Sequence, residues 1–148
     1  MTAEVVPATV GDLYDLWMNL RADQMEDVSG ASERELFDQV DKSVEVWCGK
    51  YQGRPVIVWG VLMPSILSST GVLWALTSKE IEKCPLVFVR QSKIELERLR
   101  KRYHELTGYV ATEYEVSARW LKWLGFDISP NYTFHGKNVR RISMKGKG

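Results

Sequence analysis

The sequence predicts an α/β (or α+β) fold built on a mixed, mostly antiparallel central sheet with helices on both faces. Three observations predict it. Apolar residues recur at helical spacing around Leu13, Leu36, Leu96 and Leu121. Two short runs, residues 56–59 and 71–77, are apolar on both faces, as strands buried between two layers are. The order of segments is a strand, helices, a block of strands, a long helix and then strands around a further helix, which neither an all-helical nor an all-strand domain gives. The chain has 148 residues, 45% hydrophobic and 26% charged, so a single domain over residues 1–148 with an ordinary core is expected.

Residues 5–10 are short, β-branched and interrupted by Pro7, which suits an edge strand because proline cannot donate to a ladder. Thr9 followed by Asp12 is a capping signal, and Leu13, Leu16, Trp17 and Leu20 then follow helical spacing to about Arg21. Residues 23–27 suit a short helix broken by Gly30. Ser32 with Glu35 forms a capping box for a helix that buries Leu36, Phe37 and Val40 and ends near Ser43. Residues 44–51 and 55–62 read as a hairpin about Gln52-Gly53, the second strand central. After the strand at 71–77, Pro85 suits the first turn of a long helix over 85–106, with Leu86, Val89, Leu96, Leu99 and Tyr103 as its apolar seam. Residues 108–112 form a short strand, 115–124 an amphipathic helix stopped by Gly125, and 126–129 a strand. The tail at 132–145 holds one or two more, broken at His135-Gly136.

Net charge is +1, yet residues 1–49 carry 11 acidic and 3 basic side chains. Such asymmetry implies an internally complementary fold or a basic face for a polyanion. A dedicated nucleic-acid binder has a higher pI than 7.7, so nucleic acid is disfavoured as a partner. Arg90, Lys93, Arg98, Arg100, Lys101 and Arg102, which the C-terminal Lys137, Arg140, Arg141, Lys145 and Lys147 could extend, read first as a solvated helix face. No apolar stretch approaches the roughly 20 residues of a membrane span, and the N-terminus lacks a secretory pattern, so a cytosolic protein is expected. Cys48 and Cys84 give neither a disulfide framework nor metal spacing and read as reduced, buried thiols. His104 and His135 have no partner spaced for a metal or a triad.

Several phrases resemble the GNAT superfamily of acetyl-CoA-dependent N-acetyltransferases. Residues 5–16 (VVPATVGDLYDL) resemble its first strand and helix, and residues 53–56 (GRPV) the entry to a central strand. Residues 117–126 (SARWLKWLGF) resemble its late helix and Gly-Phe ending. More narrowly, the chain is similar to GNAT-related proteins of short-tailed bacteriophages, the internal virion protein A family. The resemblance implies a GNAT fold and acyltransferase chemistry, with acetyl-CoA lying in a splay between two central parallel strands and its pyrophosphate on amides at the start of the long helix. It places Leu76, Thr77, Ser78, Lys83, Trp120 and Leu121 on the cofactor.

The family's pyrophosphate loop is glycine-rich, whereas residues 77–84 (TSKEIEKC) contain no glycine; aligned on Gly125-Phe126, the position of the family's acid tyrosine holds Leu121. An amine must lose a proton to attack a thioester, and the departing thiolate must gain one. Tyr114, Glu113 and Glu115 are the catalytic candidates the resemblance leaves. As sequence, Glu113 and Glu115 also read as helix-start acids favoured by the dipole, and Tyr114 as a structural tyrosine. Two functions follow: an acetyltransferase acting on an amine-bearing acceptor, or an inactive GNAT fold serving virion assembly or host-protein interaction. Either would work in the host bacterial cytoplasm, the second also in the virion.

Overall fold

A computed structural model describes residues 3–20, 33–65, 67, 69–83, 85–111, 115–134 and 137–148. The strands are β1 (Ala3–Pro7), β2 (Ser43–Tyr51), β3 (Arg54–Leu62), β4 (Thr70–Thr77), β5 (Glu105–Ala111), β6 (Asp127–Ile128), β7 (Tyr132–Phe134) and β8 (Lys137–Lys145). The helices are α1 (Val10–Met18), α2 (Glu33–Lys42), α3 (Pro85–Arg102) and α4 (Glu115–Trp123), with a 3-10 turn at Lys79–Lys83. Hydrogen bonding orders the sheet β1-β2-β3-β4-β5-β8-β6, with β7 on β8. β4 and β5 run parallel, while β1–β2, β2–β3, β5–β8, β6–β8 and β7–β8 are antiparallel. The mixed, mostly antiparallel sheet is therefore as the sequence predicts. The chain packs as two compact units, Met1–Leu62 with Trp74–Ser92 and Met63–Leu73 with Lys93–Gly148.

In the first unit, β1 is the edge strand, ending at Pro7. The Thr9 side chain accepts from the Asp12 amide at 3.1 Å and Asp12 accepts from the Thr9 amide at 3.1 Å, the capping box that the sequence announces. Leu13, Leu16 and Leu20 then point into a core with Leu36, Cys48, Val58 and Leu76. Helix α1 stops at Met18 rather than near Arg21, because Asn19 caps it and Leu20 bridges to Ser78. The hairpin turns where expected: Gln52 and Gly53 have φ of 53° and 80°, the left-handed pair that joins twisted antiparallel strands tightly. In β3, Val58 belongs to the α1–α2 core, while its neighbour Ile57 packs with Val56, Ile81, Val87 and Phe88. Successive strand residues point to opposite faces, so α1 and α2 cover one face of this unit and the start of α3 the other.

Charge complementarity appears within this unit, acid from the first third against base from later. Lys50 Nζ lies 3.1 Å from Asp12 Oδ1 and Arg54 Nη2 3.3 Å from Asp15 Oδ1. Burial alone would lift the Asp12 carboxyl, but the Thr9 amide and the Lys50 ammonium outweigh it and hold it below the usual carboxylate range. A carboxylate depressed in the folded state adds stability that is present above its unfolded value and lost as pH falls through the folded one. Asp12→Asn is therefore expected to cost about 1–2 kcal/mol at neutral pH, with the gap closing as pH falls below the usual carboxylate range. Urea unfolding of both proteins at neutral and at acidic pH checks this.

In the second unit, β4 begins parallel to β5, and β8 pairs antiparallel with β5 from Glu105↔Lys145 to Ala111↔Val139. Leu99, Tyr103, Leu106, Phe126, Ile142 and Met144 are buried. The long helix ends at Arg102, not at 106. Tyr103 and Leu106 keep helical spacing, but the His104 amide donates to Ser69 O at 2.9 Å and Glu105 is already paired with Thr70. Parallel pairing overrides the periodicity. The tail closes over this helix end, Gly146 donating to His104 O at 2.7 Å and Lys147 to Arg100 O at 2.6 Å. Gly125, at φ 108°, ends α4 as expected, and the following strand is shortened to Asp127–Ile128. One apolar residue departs from expectation, Leu86, which is 77% exposed; Trp123 is 54% exposed beneath the Lys93 ammonium, 4.0 Å from its ring centroid. Val87 and Phe88, not Leu86, form the inner face of the first turn of α3. The expected helix at 23–27, the capping residue Ser32, Cys84 and the break at 135–136 lie outside the described residues.

Candidate functional site

The end of β4 and the turn after it form the candidate cofactor segment. Leu76 is buried in the α1–α2 core and Thr77 is buried beside it. Ser78 has no exposed surface. Its amide donates to Val56 O at 3.0 Å, its hydroxyl donates to Pro55 O at 3.2 Å, and the same oxygen accepts from the Glu80 amide at 3.1 Å. Lys79 donates to Asn19 O at 2.8 Å and Ile81 to Ser78 O at 3.2 Å. The amides of residues 78–81 are thus all taken by the fold itself. A glycine loop leaves such amides free for phosphate; here those of Ser78 and Lys79 go to Val56 O and Asn19 O, and those of Glu80 and Ile81 turn back onto Ser78.

The neighbouring parallel pair is short. Its ladder runs Thr70↔Glu105, Gly71↔Leu106 and Val72↔Thr107, whereas β4 continues to Thr77 and β5 to Ala111. On α4, Trp120 and Leu121 are half-buried, and Leu121 brings an apolar side chain with no proton to give. Leu76, Thr77 and Ser78 lie in the first compact unit and Trp120 and Leu121 in the second. Glu113 and Tyr114 lie outside the described residues, as do the side chains of Glu115 and Lys83.

Other chemistry is quiet. Burial first, and then the nearby Asp12 carboxylate, push the Cys48 thiol up to about 12, so it stays protonated and unreactive. Among the described residues no group of His, Cys, Asp and Glu side chains is placed to hold a metal, and no helix is long and apolar enough to cross a membrane. The basic run on α3 is answered by its own carboxylates: Arg98 lies 3.1 Å from Glu95, Arg100 2.6 Å from Glu97 and Lys147 3.4 Å from Glu97. A solvated helix face is what the sequence favours there; the ion pairs of Arg98 and Arg100 along it are a feature of the structure.

No protein-family model and no curated protein matches the chain. Solved structures do. The spermidine N-acetyltransferase from Vibrio cholerae, in complex with CoA and spermine, superposes with a TM-score of 0.73 at 14% identity, covering 97% of this chain and 95% of that one. The aminoglycoside acetyltransferase AAC(6')-Ib, in complex with coenzyme A, gives 0.73 at 12% identity with the same coverage of both chains. The ribosomal L7/L12 α-N-protein acetyltransferase RimL, in complex with coenzyme A, gives 0.69 at 9% identity over 99% of this chain and 96% of that one. All three are GNAT-superfamily N-acetyltransferases, and this chain has their fold.

Proposed function

We propose that the chain, taken as one GNAT-like domain over residues 1–148, is an acetyl-CoA-dependent N-acetyltransferase. The observation that carries this reading is the parallel β4–β5 ladder, which holds for three pairs and then gives way while both strands run on. The resemblance puts the thioester arm of the cofactor beside that pair, and CoA is present in structures of the same fold. Acetyl-CoA supplies the activated acetyl group. The chain's own work is to orient a neutral amine, take its proton at the Glu113 or Glu115 carboxylate, and return one from the Tyr114 phenol to the departing thiol. In this reading Thr77, Ser78, Leu76 and Lys83 of the first unit meet the cofactor, Ser78 through the backbone it fixes. The acceptor is an amine, as the polyamine, aminoglycoside and protein α-amine named for these neighbours are.

Release of free thiol from acetyl-CoA, followed with spermidine, an aminoglycoside and a peptide α-amine as acceptors, tests this. Turnover with at least one amine is expected, falling about a hundredfold in the Glu113→Gln, Glu115→Gln double variant. Thiol release that no amine accelerates contradicts it.

A second reading is favoured by the occupied amides at 78–81 and the apolar Leu121: a GNAT-fold protein of a short-tailed phage, working in the host cytoplasm or the virion by binding a virion or host protein. Absence of acetyl-CoA binding, together with co-purification of one defined virion protein from infected cells, would select it.

A further inference from the structure

The second compact unit carries a cleft of about 540 Å³ between α4 and the β6–β8 edge. Arg119 and Lys122 reach it from α4 and Arg140 from β8, over a floor of Ala118, Phe126 and Ile128. These cations come from segments distant in sequence. Asp127 is the single carboxylate of the lining. Among the described residues, none of Arg119, Lys122 and Arg140 forms an ion pair. The contrast with α3 is direct, since there Arg98 and Arg100 pair with carboxylates one turn away. Moreover, Arg140 Nε is buried and has no hydrogen-bond partner in the fold. A guanidinium cannot lose its charge, so a buried donor on it left unmatched is costly, and its fork geometry suits the oxygens of phosphate.

We propose that this cleft is an anion site that takes a diphosphate group. Converging like charges repel one another, and a multiply charged anion among them adds attractions that outweigh that repulsion. The volume exceeds what diphosphate alone needs and falls in the range of small-molecule sites. The apolar floor then offers a surface for an organic group attached to the diphosphate. The site does not draw on the amides after β4 and stands independently of the acetyl-transfer reading.

Amide chemical-shift titration with inorganic pyrophosphate, and separately with ADP, tests it on the whole chain. Saturable shifts are expected at Ala118, Arg119, Lys122, Ile128 and Arg140, with affinity reduced about tenfold in Arg140→Gln and in the exposed Arg119→Gln. Lys101→Gln, on the outer face of α3, is expected to leave the affinity unchanged. Tighter binding of ADP than of pyrophosphate identifies a nucleotide-type ligand, and equal binding a free diphosphate; both support the site. Absence of saturable shifts overturns the proposal, as does equal weakening in Lys101→Gln, which would mark a diffuse charge effect. Abolition of the shifts by saturating acetyl-CoA also overturns it, because the diphosphate group would then be the cofactor's own.

Discussion

Gly60→Ala lowers the unfolding free energy by about 3 kcal/mol and the melting temperature by about 6–12 °C. A Cβ built at Gly60 in β3 meets Cε2, Cζ2 and Nε1 of Trp74 at 2.6 Å, a distance that real Cβ contacts do not show. The ring is not free to swing aside. Its Nε1 donates to Ser43 Oγ at 2.8 Å, and that hydroxyl donates in turn to Gln39 O at 2.8 Å at the end of α2. Moving the indole therefore breaks a chain of hydrogen bonds joining β4, β2 and α2, as well as the packing of Trp74 on the core. In a Trp74→Leu background the same Gly60→Ala change is expected to cost under about 1 kcal/mol, since the clash is gone. Additive effects in that double-mutant cycle, measured by urea unfolding, would show that the ring does not set the cost.

Ser78→Ala has the next largest effect, about 2 kcal/mol, and appears without any ligand. The hydroxyl serves both the Pro55 carbonyl and the Glu80 amide in a fully buried position, so alanine strands one acceptor and one donor at once. Substituting Ser78 should therefore loosen the turn at Lys79–Lys83 and raise hydrogen exchange at Glu80. If Ser78→Ala unfolds at the wild-type urea midpoint and only weakens acetyl-CoA binding, the residue is a ligand contact and not a fastener of the turn.

Much of the fold is legible in the sequence because local chemistry fixes it. Thr9 and Asp12 close a capping box over three residues, Gln52-Gly53 can turn a hairpin by themselves, and Gly125 ends a helix through its own φ. The two-faced apolarity of residues 56–59 correctly places β3 inside the sheet, between β2 and β4. What the sequence hides depends on partners distant along the chain. Leu99, Tyr103 and Leu106 fit one helix stripe, yet pairing of Glu105 with Thr70 converts the last of them to a strand. Leu86 matches the apolar seam but faces water, because the inner face of the first turn is set by Val87 and Phe88 against Ile81.

The site is less legible than the fold. Absence of glycine after β4 is visible as sequence, but that the amides of residues 78–81 are occupied emerges only when Asn19, Val56 and Ser78 are brought together. Arg140 reads as one of several tail cations, and its convergence with Arg119 and Lys122 depends on how β8 returns beside α4. The alternation of strand and helix residues carries no such information.

Calorimetric titration of acetyl-CoA into the intact protein tests the central claim most directly. An acetyltransferase of this fold is expected to bind it with a dissociation constant of about micromolar to tens of micromolar, at one site per chain. No heat of binding at about millimolar ligand, from a protein shown to be folded by its urea transition, would contradict the claim.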